Sequence, residues 1–190
     1  MRSFERVAVM AEAKICRWYR GKRVALSLRF DDSHPTHVEK AVPMLDAQGL
    51  VGTFLINPGN PGYDQFRADW EGAVIQRGHE LGNHTLNHRG AKTDTDAETQ
   101  IGRCAEHIWR LQPERGKLLA FQRGGATTWL QRKPFKFFHA KYSLFVPGPS
   151  MSCSEAYPSF TFEAFRERFD RALTGGEWME CHFHGIDAGH

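Results

Sequence analysis

At Val24 the hydrophobic period of the chain becomes two. Val24, Leu26, Leu28 and Phe30 fall on one side, and Ala25, Ser27, Arg29 and Asp31 on the other, the alternation of a β-strand. Ser33-His-Pro35 then opens a helix with a cap-like residue and an early proline. Val38, Ala41, Val42 and Leu45 form its apolar stripe and Gly49 closes it. Leu50 to Ile56 is a second strand. After a loop from Pro58 to Gly62, a helix carrying Phe66 and Trp70 runs to Gly78, and His79 to Leu81 is a short strand. Strands separated by helices pair in parallel, as an open sheet or a barrel, and their chemistry gathers at the strand carboxyl ends.

The alternation continues. Thr95-Asp-Ala-Glu98 has capping-box spacing ahead of the stripe Ile101, Cys104, Ala105, Ile108 and Leu111. Leu118 to Phe121 reads as a strand, and Tyr142 to Val146 as another within aromatic, proline-containing sequence. A last helix carries Phe162, Phe165, Phe169 and Leu173, is stopped by Gly175 and Gly176, and precedes a closing strand from Glu177 to Phe183. Ahead of the first strand, Phe4, Val7, Ala8, Ala11, Ile15 and Trp18 recur at helical spacing up to Gly21. The expected organisation is an N-terminal amphipathic helix over residues 1–23 and one α/β domain over 24–190.

A chain of 190 residues suits one domain. No apolar run approaches the ~18 residues of a membrane span, and Glu5, Arg6 and Glu12 interrupt any secretory leader, so a cytoplasmic chain without a membrane partner is expected. Cys16, Cys104, Cys153 and Cys181 are far apart, which suggests neither a zinc knuckle nor a disulfide framework. The net charge is +3, and the densest basic stretch, Arg17, Arg20, Lys22 and Arg23, reads as a solvated face. No nucleic-acid partner is expected.

The first strand ends on two adjacent carboxylates, Asp31 and Asp32, which repel each other unless a cation or hydrogen-bond donors compensate. Farther along, His84-Thr-Leu-Asn-His88 supplies two imidazoles. One carboxylate and two imidazoles make a divalent-metal site, and the spare carboxylate is placed to act as a base. The bland alternatives are a helix N-cap for the aspartates and a chance pairing among ten histidines. His182 and His184 share a face of the closing strand, His184 nearer its carboxyl end. Nitrogen and oxygen ligands together suit zinc, with cobalt, nickel, manganese and iron also able to fill such a site. Trp129, Phe137 and Tyr142 could stack on a sugar ring, but core or loop packing is the simpler reading.

At these residues the sequence resembles the polysaccharide deacetylase family, also called the chitooligosaccharide deacetylase homology domain or carbohydrate esterase family four. Arg29-Phe-Asp-Asp-Ser33 is similar to the family's T-F-D-D-G signature, and Gly52-Thr-Phe-Leu-Ile-Asn57 to the strand that follows it. Gly78-His-Glu-Leu-Gly-Asn-His84-Thr-Leu-Asn-His88 is similar to its G-x-E-[IL]-x-[NS]-H-[ST]-x-x-H block. The resemblance implies a distorted, incomplete (β/α) barrel and hydrolysis of a non-peptide C–N bond, the substrate being an N-acetylated or O-acetylated carbohydrate. It implies Asp31 as general base and Asp32, His84 and His88 as metal ligands. It also implies an arginine that orients the base, matched by Arg123, and a closing-strand histidine that protonates the departing nitrogen, matched by His184.

The family's D-x-x-D-W block has no counterpart between Phe138 and Phe160. Family members usually continue past the histidine strand, whereas this sequence stops at His190, so a truncated domain with apolar surface exposed near Phe183 is expected. Three other functions stay open on the sequence. One is an amidohydrolase acting on a small cyclic ureide or imide with the same metal and base. Another is a binding module or pseudoenzyme that holds a glycan without turnover. The third, a two-histidine-one-carboxylate iron oxygenase, lacks its usual HxD pair.

Overall fold

The computed structural model describes residues 17–124, 134–146, 150–153 and 160–186. Most of the helix expected over residues 1–23, and Trp129, lie outside these residues. The described part of the N-terminal stretch holds a short 3-10 turn at Tyr19–Gly21, and the Trp18 indole donates to the Gly176 carbonyl at 2.8 Å. Among the described residues no helix is long and apolar enough to cross a membrane.

The described residues form seven strands: β1 Ala25–Phe30, β2 Thr53–Ile56, β3 Glu80–Asn83, β4 Leu119–Ala120, β5 Leu144–Phe145, β6 Ser150–Ser152 and β7 Trp178–Phe183. All pairings are parallel. One sheet runs β3-β2-β1-β7-β6, a second pairs β4 with β5, and a parallel bridge between Asn83 and Phe121 joins them. The wall thus runs β6-β7-β1-β2-β3-β4-β5, and among the described residues no ladder connects β5 to β6. This is the distorted, incomplete (β/α) barrel. Of its strands, β6 carries no clear signal in the sequence.

Helices fill the crossovers as the apolar stripes require. The first is wound wide over His37–Ala41 and continues as Val42–Ala47. Ser33 does not cap it. Its φ is 52° and its Oγ accepts the Asn57 N–H at 2.8 Å, because the loop needs that hydroxyl to reach β2. Shorter segments at Pro61–Gln65, Asp69–Ala73 and Val74–Gln76 lead to β3. The next helix, from Asp94–Ala97 through Glu98–Gly102 to Arg103–Leu111, begins two residues before the expected box. Thr93 and Asp96 form the reciprocal cap instead, which brings Ala97 into the buried stripe with Ile101, Cys104 and Ile108. Helices at Pro134–Lys141 and Phe162–Gly175 complete the set, the latter closed by Gly176 in the left-handed conformation.

The core lies between the outer face of the wall and these helices. Phe30 stacks on Phe54 at 4.8 Å and on Phe183 at 5.0 Å, with Trp70 and Tyr63 behind them. Full burial of Phe54 alone contributes about 2 kcal/mol. Phe183 is half-buried in this stack, so the exposed apolar patch expected around it does not form there. The opposite face of β1 turns inward. Ser27 and Arg29 line a cavity of about 150 Å³ with Thr53, Glu80, Trp178 and Glu180. The six-residue register of β1 on β7 sets Ser27 opposite Glu180 and Arg29 opposite His182.

Candidate metal centre

Two loops at the carboxyl ends of β1 and β3 build the site. The Asp31 N–H continues the ladder to the Phe183 carbonyl at 2.9 Å, and the chain then turns through Asp32 and Ser33 with φ of 78° and 52°. After β3, the His84 N–H donates to the Ile56 carbonyl at 3.1 Å, and Thr85 and His88 have φ of 75° and 59°. A non-glycine residue in the left-handed region costs on the order of 1–3 kcal/mol and persists only where its surroundings dictate it.

Here the surroundings are two buried asparagines. Asn57 donates its Nδ2 to the carbonyls of His84 and Thr85, at 2.5 and 3.0 Å, while its own N–H goes to Ser33 Oγ. Asn83 accepts the Thr85 N–H at 2.9 Å and donates to the Ile101 carbonyl at 2.9 Å. The β1 loop is thereby tied through the end of β2 to the β3 loop.

The result is a convergence of three side chains. Asp32 Oδ1 lies 2.9 Å from His84 Nε2 and 3.1 Å from His88 Nε2, and the three candidate ligand atoms are all within 4.8 Å of one another. His84 is buried, whereas Asp32 and His88 reach the surface, so one side of the cluster is open. Burial pushes the Asp32 carboxyl up, but the two imidazoles beside it overcome this and hold it well below the ordinary carboxylate range. Burial pushes His84 down, and the neighbouring Asp32 and Asp31 more than reverse it.

These residues fit a divalent cation. The Gln122 carbonyl, 2.8 Å from His84 Nδ1, can only accept, so Nδ1 carries a proton and Nε2 is the nitrogen turned toward Asp32, able to give its lone pair to a cation bound there. That nitrogen and His88 Nε2 both crowd one buried oxygen, Asp32 Oδ1, at 2.9 and 3.1 Å. A cation can take the place of the protons that hold such a cluster together, and two nitrogens with one oxygen leave coordination positions free.

The other predicted residues sort around this cluster. Asp31 is buried and stands outside the three-ligand group. His184 Nε2 is 3.7 Å from Asp32 Oδ2. His182 is turned elsewhere, its Nε2 3.3 Å from Ser152 Oγ, and burial and Arg29 lower it to about 4, so it is neutral near pH 7. Arg123, expected against the base, is exposed. The guanidinium at Asp31 is that of Arg29, whose Nε lies 3.0 Å from Oδ1. A contact from the same strand face is the shorter reach, and the period-two pattern of β1 already puts the two residues on one side. Asn57, Gln122 and Gly124 also support the site; they lie in or beside the blocks that resemble the family, but the sequence gives them no role. Tyr142 is buried with its hydroxyl on Glu98, which makes it core, while Phe137 is exposed.

Residues 19–132, more than half of the chain, match the sequence model of the polysaccharide deacetylase family. Among solved structures, a CE4 esterase from Streptococcus mutans is similar with a TM-score of 0.60 at 17% identity, over 86% of this chain and 74% of that one. The catalytic domain of a peptidoglycan N-acetylglucosamine deacetylase from Eubacterium rectale gives 0.58 at 13%, over 89% and 80%. A CE4 family pseudoenzyme from Bacillus anthracis gives 0.60 at 12%, over 91% of this chain but 59% of its own, so this chain spans about three fifths of that protein's length. At such identities the likeness is one of fold. Comparison with curated proteins yields no match. With the family match and the fold agreeing, the chain belongs to the polysaccharide deacetylase family.

Proposed function

We propose that this chain is a metal-dependent hydrolase that removes acetyl groups from an N-acetylated or O-acetylated carbohydrate. The reading rests on the convergence of Asp32, His84 and His88, within 4.8 Å of one another, beside a second carboxylate that stays out of the cluster. Asp32, His84 and His88 would hold the ion, zinc by the character of the donors. Bound there, it would supply Lewis acidity toward an acyl oxygen and lower the pKa of a water beside it toward neutrality. Asp31 takes the proton of the attacking water. His184, against the outer oxygen of Asp32, protonates the departing nitrogen, without which an amine leaves poorly. The Eubacterium rectale relative is named a peptidoglycan N-acetylglucosamine deacetylase, so glycans of N-acetylglucosamine are the first substrates to try.

The test is acetate release from N-acetylglucosamine oligomers and peptidoglycan fragments, with cyclic ureides as rivals, after chelation and separate addition of zinc, cobalt, nickel, manganese and iron. Metal-dependent acetate release is expected, lost in Asp32→Asn together with the metal, and lost in Asp31→Asn with the metal retained. A metal-loaded chain that binds these glycans and releases nothing is a binding module, and the proposal then fails.

A further inference from the structure

Inside the barrel one guanidinium joins two carboxyl groups. Arg29 Nε lies 3.0 Å from Asp31 Oδ1, an ion pair without the alignment of a hydrogen bond, and its Nη1 donates to Glu180 Oε1 at 2.6 Å, with all three side chains at most 7% exposed. Strand geometry sets up the chain of contacts. Arg29 is an inward position of β1 and Asp31 is the next on that side, just past the strand's end, while Glu180 in β7 is level with Ser27, one pleat further down. The three groups therefore stack along the barrel interior with Arg29 in the middle. Arg29 and Glu180 also line the cavity of about 150 Å³, and Asp31 does not.

We infer that Arg29, anchored by Glu180, is the positioning residue that fixes the Asp31 carboxylate beside the metal ligands and keeps it out of their group. An aspartate one residue from Asp32 has the reach to swing into the same cluster, where it would become a ligand and cease to be a base. A guanidinium on its Oδ1 prevents that. Arginine is a long side chain with several rotamers, and the 2.6 Å contact to Glu180 removes that freedom by holding the fork from below. The name of base for Asp31 rests on the deacetylase reading. The restraint on its carboxylate does not.

The experiment compares wild type with Arg29→Met, Arg29→Lys and Glu180→Gln. Three readouts are needed: crystal structures of the zinc-soaked proteins, zinc stoichiometry by titration, and kcat and KM for acetate release from an N-acetylglucosamine oligomer. In Arg29→Met the Asp31 carboxylate is expected to leave its place while Asp32, His84 and His88 stay and zinc stoichiometry is kept. Its kcat should fall roughly 100-fold, the low end of what a general base supplies, with KM changed by less than about twofold. Arg29→Lys should restore part of the loss, and Arg29→Met added to Asp31→Asn should cost nothing further. An Asp31 carboxylate that holds its position without Arg29, losses that multiply in the double variant, or zinc lost in both Arg29→Met and Glu180→Gln would each overturn the inference. If wild type binds zinc and releases no acetate, the deacetylase reading falls, and the crystal structures still decide the positioning. Should Arg29→Met fail to fold, Glu180→Gln and Arg29→Lys carry the same structural readout.

Discussion

Gly124 lies against the imidazole of His88 so closely that a methyl group on its Cα would overlap the ring at Cδ2 and Cγ and press on the His84 carbonyl oxygen. His88 needs this support. It is the more exposed of the two candidate histidine ligands and sits on left-handed backbone, so the glycine floor is what fixes its ring toward Asp32.

Gly124→Ala should therefore displace His88 and leave the rest of the barrel alone. Zinc affinity is expected to drop roughly 10- to 100-fold, the range for disturbed supports of metal ligands. Competition with a chromophoric chelator measures it, and a thermal melt of the metal-free protein checks the fold. Wild-type affinity in the alanine variant would mean that the ring holds its place without the glycine.

Asn57 ties three segments at once, and Asn57→Ala should show that in stability as well as in metal binding. The substitution leaves the His84 and Thr85 carbonyls without the amide that joins them, in a fully buried setting. A loss of about 2–3 kcal/mol follows from unsatisfied buried acceptors, read as a shift in the denaturant midpoint at unchanged slope. Asn57→Asp should be worse, since it swaps a donor for a charge facing two carbonyl oxygens.

How legible this was in the sequence depended on reach along the chain. The period-two face of β1, the stripes of the helices between β1 and β4 and the spacing of His84 and His88 are local patterns, and the structure reproduces each with shifts of a residue or two; the stripe expected ahead of Gly21 lies mostly outside the described residues, and Phe162 of the last stripe is exposed. The Thr93 and Thr95 boxes have the same spacing, and only burial of Ala97 decides between them. Glu180 over Arg29, Gly124 under His88 and Asn57 between two loops are contacts between distant strands, for which a single sequence carries no period. Arg123 was expected beside Asp31 because a motif placed it there. Arg29, on the same strand face as Asp31, makes the contact.

Adding zinc should stabilise the fold through Asp32, and the size of the effect is set by mass action. At a free zinc concentration 100 times the dissociation constant, binding to the native state alone adds about 2.7 kcal/mol to unfolding. Thermal melts with and without zinc measure it. Asp32→Ala should abolish the zinc-induced shift, and Arg123→Ala should keep it, because Arg123 is exposed and the Asp31 contact belongs to Arg29. A full shift in Asp32→Ala would place the ion elsewhere.

Acid stability offers a test that needs no metal. His37 is completely buried, and burial lowers it to about 4, with its Nε2 donating to the His184 carbonyl. His182 is lowered to about 4 as well. Between pH 4.5 and 6.5 both imidazoles are protonated in the unfolded chain and neutral in the native one. The unfolded state binds the extra protons, and stability rises with pH across this window. Glu180 works the other way. Burial raises it to about 7 against the pull of Arg29, so in the same window the native state holds a proton that the unfolded chain has lost, and its contribution declines as pH climbs. His37→Gln, whose amide can still donate to the His184 carbonyl, should flatten the rise by about one proton, and Glu180→Gln should steepen it by about one. Denaturant unfolding at several pH values with chelator present gives both slopes. An unaltered slope in His37→Gln would mean that the imidazole is already charged in the folded protein, and its complete burial at the foot of the His184 strand end would then need a counterion.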